Sequence, residues 1–133
     1  MLKYVLLATA LMWASPAAAD TEWTYVATTN GGTVIHARTS DLLKGRSHHT
    51  TAPVWVRMDA SRDRTVSFRE ARVLYAVNCV ARTSRSVQAT VYFRNGTTQT
   101  DSVRAEEFII PDSNLDTVAN MLCSDPTPEP NYR

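Results

Sequence analysis

Cysteine is nearly absent from this chain: 133 residues hold two, Cys79 and Cys123. They lie far apart without flanking ligands, which makes a poor zinc signature. Histidine is scarce too, with only His36, His48 and His49. Adjacent side chains on a strand point to opposite faces, and a loop pair supplies at most two ligands where a usable site takes three or four. No metal and no other cofactor is expected. No serine sits in a Gly-x-Ser-x-Gly context, so the Ser, His and Asp residues that any chain contains do not form a recognisable triad. An excess of one charge is also missing. With Lys3 set aside, 13 basic residues face 13 acidic ones, which argues against nucleic-acid binding driven by counterion release. Beyond the first residues there is no apolar run of spanning length, so no integral membrane segment is expected in the mature protein.

What is present begins with Met1-Leu2-Lys3 and an uncharged stretch from Tyr4 to Ala14, followed by Ser15-Pro16-Ala17-Ala18-Ala19. One basic residue, a short apolar core and an Ala-x-Ala end describe a secretory signal peptide, residues 1–19, cleaved between Ala19 and Asp20. No cysteine follows that site, so a lipid anchor is not expected. Residues 20–124 then form one domain with a single core, and 125–133, rich in proline, read as an extended, disordered tail.

The domain reads as strands. Glu22 to Ala27 is aromatic and β-branched, Asn30-Gly31-Gly32 is a turn, and Thr33 to Ala37 returns. Thr39 to Leu43 leaves the pair, and Lys44 to Ala52 reads as loop. Pro53 to Asp59 is a third strand, with Val54, Val56 and Met58 on one face and Trp55 and Arg57 on the other. Val66 to Cys79 is a long fourth strand, with Val73, Tyr75, Val77 and Cys79 opposed to Arg72, Leu74, Ala76 and Asn78. Arg82 to Arg85 reads as a polar turn. Val87 to Phe93 alternates, Asn95-Gly96 turns, and Thr97 to Val103 returns as a polar edge strand. Phe108 to Pro111 leads out of the sheet. Ser113 with Asp116 resembles a capping box, and Leu115, Val118, Ala119, Leu122 and Cys123 make one helical stripe. The expected fold is α+β: an antiparallel sheet of about six strands with one C-terminal helix on its face.

In an exported chain two cysteines most simply form one intramolecular disulfide. Free thiols, an intermolecular bond and a metal site are the alternatives at this point. Arginines 57, 62, 64, 69, 72, 82 and 85 fall in one region. They read either as a solvated face paired with Asp59, Asp63 and Glu70 or as a patch for a polyanionic ligand. Trp23, Trp55, Tyr75 and Tyr92 are aromatic anchors for a binding surface or for packing. Asn95-Gly96-Thr97 matches a glycosylation sequon but is better explained as a turn.

These residues in this order resemble a known family. Trp23 with Val26, Val54-Trp55-Val56, Tyr75-Ala76-Val77-Asn78-Cys79 with Arg82, Tyr92 before Asn95-Gly96, Ile110-Pro111-Asp112-Ser113 and Leu122-Cys123 together are similar to the surface-adhesin protein E family of Gram-negative bacteria. The resemblance implies a curved six-stranded antiparallel sheet with its C-terminal helix disulfide-tethered to one face. It also implies an adhesin: the family's named member is lipid-anchored, binds host matrix and serum proteins, and dimerises. Without a lipobox cysteine this chain is expected in the periplasm or the medium. The expectation is a non-enzymatic binding module for an unidentified protein or polyanionic ligand, contacted through sheet-face and loop residues; the family carries over no contact residue, and Trp55, Arg57, Arg72 and Tyr92 are named from this sheet. The alternative is a periplasmic structural or accessory protein that buries its open sheet face in a homodimer.

Overall fold

The computed structural model describes residues 22–45 and 51–123. The expected signal peptide with its cleavage site at Ala19 and Asp20, the pair His48 and His49, and the tail 125–133 lie outside the described residues.

The sheet is a meander. Strands β1 (Trp23–Thr28), β2 (Val34–Arg38), β3 (Thr51–Asp59), β4 (Phe68–Asn78), β5 (Thr83–Phe93) and β6 (Thr98–Ser102) lie side by side in sequence order. Every pairing is antiparallel. A two-residue strand, β7 (Glu107–Phe108), resumes along the edge of β5 beyond the end of β6. Bulges between Tyr25 and Ala27, and between Leu74 and Tyr75, bend their strands and strengthen the local twist. Both short hairpins use the same loop. Gly32 and Gly96 hold positive φ, +102° and +86°, closing a turn whose outer pair is Thr29 with Thr33 or Phe93 with Thr97. In the second of these, Asn95 Oδ1 accepts hydrogen bonds from the backbone N–H and the hydroxyl of Thr97, which is the turn role read for this triplet.

Side-chain alternation divides the sheet into two unlike faces. Ile35, Ala37, Ala52, Val54, Val56 and Val77 point to one side and are buried. Helix α2 (Asn114–Cys123) lies over them and contributes Val118, Ala119 and Leu122 to the same core. The hydroxyl of Ser113 accepts the Asp116 N–H at 3.1 Å and caps the helix. The Asp116 carboxylate departs from a full capping box: it accepts from the Asp112 N–H, one residue earlier than the cap. Arg82, in the β4–β5 turn at φ +56°, binds Asp116 and Asn120 with its guanidinium. One turn further along, Cys79 and Cys123 form a disulfide with a Cα–Cα distance of 5.6 Å, so the intramolecular bond is the arrangement present.

Three local expectations are corrected. Thr39 to Leu43 does not merely leave the sheet: Thr39–Gly45 is a short helix, α1, that buries Leu42 and packs against α2. Its Asp41 carboxylate accepts the Trp55 N–H at 2.9 Å, satisfying a β3 donor beyond the end of β2. β3 accordingly starts at Thr51, inside the stretch read as loop. Thr83 to Arg85 is strand rather than turn, with Thr83 and Ser84 buried because β7 and the Glu106 carboxylate cover them.

Candidate functional site

The face of the sheet turned away from α2 carries Trp23 and Tyr25 on β1, His36 and Arg38 on β2, Trp55 and Arg57 on β3, Glu70 and Arg72 on β4, and Tyr92 on β5. Their register fixes this: Trp23 faces Arg38, His36 faces Arg57, Arg57 faces Arg72, and Glu70 faces Tyr92. No helix lies over these residues among the described elements.

A groove of about 320 Å³ opens on this face, lined by Trp23, Arg38, Trp55, Arg72, Gln88, Thr90 and Tyr92. Three of the four expected contact residues, Trp55, Arg72 and Tyr92, line it together. Arg57 shares the face but not the groove, because its Nε is held by Glu70 Oε1. The other carboxylate oxygen of Glu70 lies 3.4 Å from Arg72 Nε, so one acid serves two arginines. Trp23 sits at the opposite wall. The guanidinium carbons of Arg38 and of Arg72 each lie 5.9 Å from its ring centroid, a cation–π arrangement from two directions. Residues on β1 and β4 thus meet above β2 and β3.

Arg38, Gln88 and Thr90 were not among the expected contact residues, although the alternation of Val87 to Phe93 sets Gln88 and Thr90 on the side of Tyr92. Each lies on the open face by simple alternation, so the missing information was strand pairing and not residue type. Trp23 was expected as an aromatic anchor and as part of the family pattern, without a place in the contact set, while Tyr75 belongs elsewhere. It packs on the covered face beside Leu115 and Val118, and burial pushes its phenol pKa upward. The arginine run does not form one patch, since Arg82 is committed to α2.

A second groove, about 370 Å³, runs along the covered face between α2 and the outer strands. Its floor is Val73, Ala89 and Val91, and its rim mixes Arg85 and Arg104 with Asp101 and Glu107. Cations and anions there offset one another, whereas the open-face groove has cations and no carboxylate in its lining.

His36 packs edge-on against Tyr25, with ring centroids 6.2 Å apart. Its Nδ1 is buried without a partner among the described residues. Among the described residues no three His, Cys, Asp or Glu side chains come together as a metal site requires, and no helix is long and apolar enough to cross a membrane.

No curated protein and no solved structure matches the chain. The family model described as surface-adhesin protein E matches residues 23–124. That span opens at Trp23 on the groove wall and runs through the sheet to the residue after Cys123. The chain belongs to the surface-adhesin protein E family.

Proposed function

We propose that this protein is an exported, non-enzymatic binding module that engages host or envelope proteins through the open face of its sheet, with Trp55, Arg57, Arg72 and Tyr92 among the contacting residues. The observation that carries this reading is the groove. Trp55, Arg72 and Tyr92 converge there with Trp23 and Arg38, and Trp, Tyr and Arg are the residue types that dominate binding hot spots. These side chains occupy strand positions and not loops, so the surface is held rigid before any ligand arrives, which lowers the ordering cost of association. Membership of an adhesin family supports a binding role, and the expected signal peptide supports export.

Saturable binding of the purified mature protein to a panel of isolated matrix proteins and outer-membrane proteins is the test. Replacement of Trp55 by Ala should weaken that binding by about tenfold or more, as loss of a hot-spot aromatic does, while the circular dichroism spectrum is unchanged. Absence of saturable binding across the panel would refute the reading. Sedimentation of the same sample at high concentration separates it from the alternative, in which a second copy covers the open face.

A further inference from the structure

We infer that the open-face groove is a receptor for an extended acidic peptide segment, with Arg38 and Arg72 receiving its carboxylates. This rests on the binding role proposed above and names the ligand class.

Charge is the first argument. The lining holds two guanidiniums, hydrogen-bonding groups on Gln88, Thr90 and Tyr92, and no acid. Glu70 neutralises only one of the two arginines it touches, Arg57 and Arg72. It meets Arg72 at Nε, at 3.4 Å, and the Arg72 side chain stays 45% exposed. Arg38 stacks on Trp23 and lies 3.4 Å from Glu22, whose side chain is more than half exposed. A carboxylate approaching from solvent therefore meets two partly exposed guanidiniums, each in a 3.4 Å contact with an acid, and a guanidinium pairs well with a carboxylate.

Spacing is the second argument. Both guanidinium carbons are 5.9 Å from the centre of the Trp23 ring, so they stand no further apart than twice that distance. Side chains on one face of an extended chain recur about every 6.8 Å. Acidic residues two apart on a β-like peptide fit within that limit. The aromatic surface of Trp55 and Tyr92 in the same groove suits the apolar portions of such a segment.

The number of cations is the third. A highly sulfated glycan gains affinity by having many anions neutralised at once, as a nucleic-acid backbone does. Two groove arginines flanked by Trp23, Trp55 and Tyr92 fit a few carboxylates set among apolar groups better than a uniform polyanion.

The test uses the mature protein and three probes: a fluorescently labelled peptide alternating Glu or Asp with Val or Tyr, its Gln/Asn counterpart, and a heparin oligosaccharide. The acidic peptide should bind saturably, more weakly as salt rises, and at least tenfold more tightly than the amide peptide. Arg38→Gln and Arg72→Gln should each weaken it by roughly tenfold, while Arg62→Gln on the β3–β4 loop leaves it unchanged. Arg72→Lys, which keeps the charge but not the fork, should fall between wild type and Arg72→Gln. Thermal melts of each variant exclude unfolding as the cause. Equal affinity for the amide peptide, undiminished affinity in the Arg38→Gln/Arg72→Gln double variant, or preference for heparin would each overturn the inference. Panel binding that needs Trp55 but ignores Arg38 and Arg72 would overturn the ligand class while leaving the broader function standing.

Discussion

Asp63 is the one acidic side chain that is almost fully buried among the described residues, and its surroundings explain why it stays charged. One carboxylate oxygen accepts the Thr33 hydroxyl at 2.6 Å, and the other accepts the Thr65 hydroxyl and N–H. Gly31 leaves space for it, since a Cβ there would lie 2.7 Å from both oxygens. Arg94 completes the knot by donating to the carbonyls of Ala60 and Asp63. The Thr33 bond first, then those from Thr65, hold the Asp63 pKa below its ordinary 3.8. A carboxyl with a depressed folded pKa contributes stability above its unfolded value, and that contribution disappears as pH falls through the lower folded value. Asp63→Asn should therefore melt below wild type at neutral pH, and the gap should close progressively below pH 3.8. Thermal melts over an acid series measure it, and a gap independent of pH would contradict the account. Asp59, lowered mainly by hydrogen bonds from Ser61, adds to the acid sensitivity of both proteins and so cancels in the difference. None of this was legible beforehand: Asp63 sits among Arg62 and Arg64 in a stretch that reads as a charged connection, and its burial depends on a hairpin thirty residues away. By contrast Trp55 and Arg57 could be placed on one side of β3 from parity alone, because a strand leaves each side chain only two directions, and Arg72 lies opposite the apolar row of its own strand in the same way.

At the scale of elements, α2 was the most readable part. Its cap residue and apolar stripe announce both its start and its buried side, and Val118, Ala119 and Leu122 are buried as that stripe requires. Helix α1 was less readable because its seven residues are too few to show a period. It forms because Leu42 finds the core and Asp41 finds the Trp55 N–H, both tertiary causes. The burial of Thr83 and Ser84 has the same origin, since they are polar residues whose cover comes from β7. A ten-residue helix on its own is marginal in water, so what holds α2 is the core beneath it, Arg82 and the disulfide. The bond joins residues 44 apart, and closing a loop of that size is worth about 4 kcal/mol in the chain-entropy model. Replacing both cysteines by Ala should lower the unfolding free energy by a few kcal/mol on that model. The near-ultraviolet spectrum should lose tertiary signal, and reduction of the wild type should have the same effect. Chemical denaturation with and without reductant measures it, and superimposable curves would show that α2 is held by packing alone.

Across the whole molecule, one sheet is asked to do two separate jobs. The side under α2 holds the core, and the other side carries charged and aromatic residues that pair only partly with one another. If the faces are independent, neighbouring residues on β3 should give opposite phenotypes. Val54 is fully buried in the core, and Val54→Ala removes the equivalent of two methylene groups. The expected cost is about 2 kcal/mol or somewhat more once the cavity is included, with the affinity of the folded fraction unchanged. Trp55, one residue later and facing the groove, makes its energetic contribution to the bound state. Trp55→Ala should change the melting midpoint less than Val54→Ala does, and should abolish most binding to whichever panel protein the wild type retains. The comparison works because the two positions are consecutive on one strand, both paired with β4, and address opposite sides of the sheet. Should Trp55→Ala prove the more destabilising of the two while binding persists, the open face would be a second core, and the groove would be packing and not recognition.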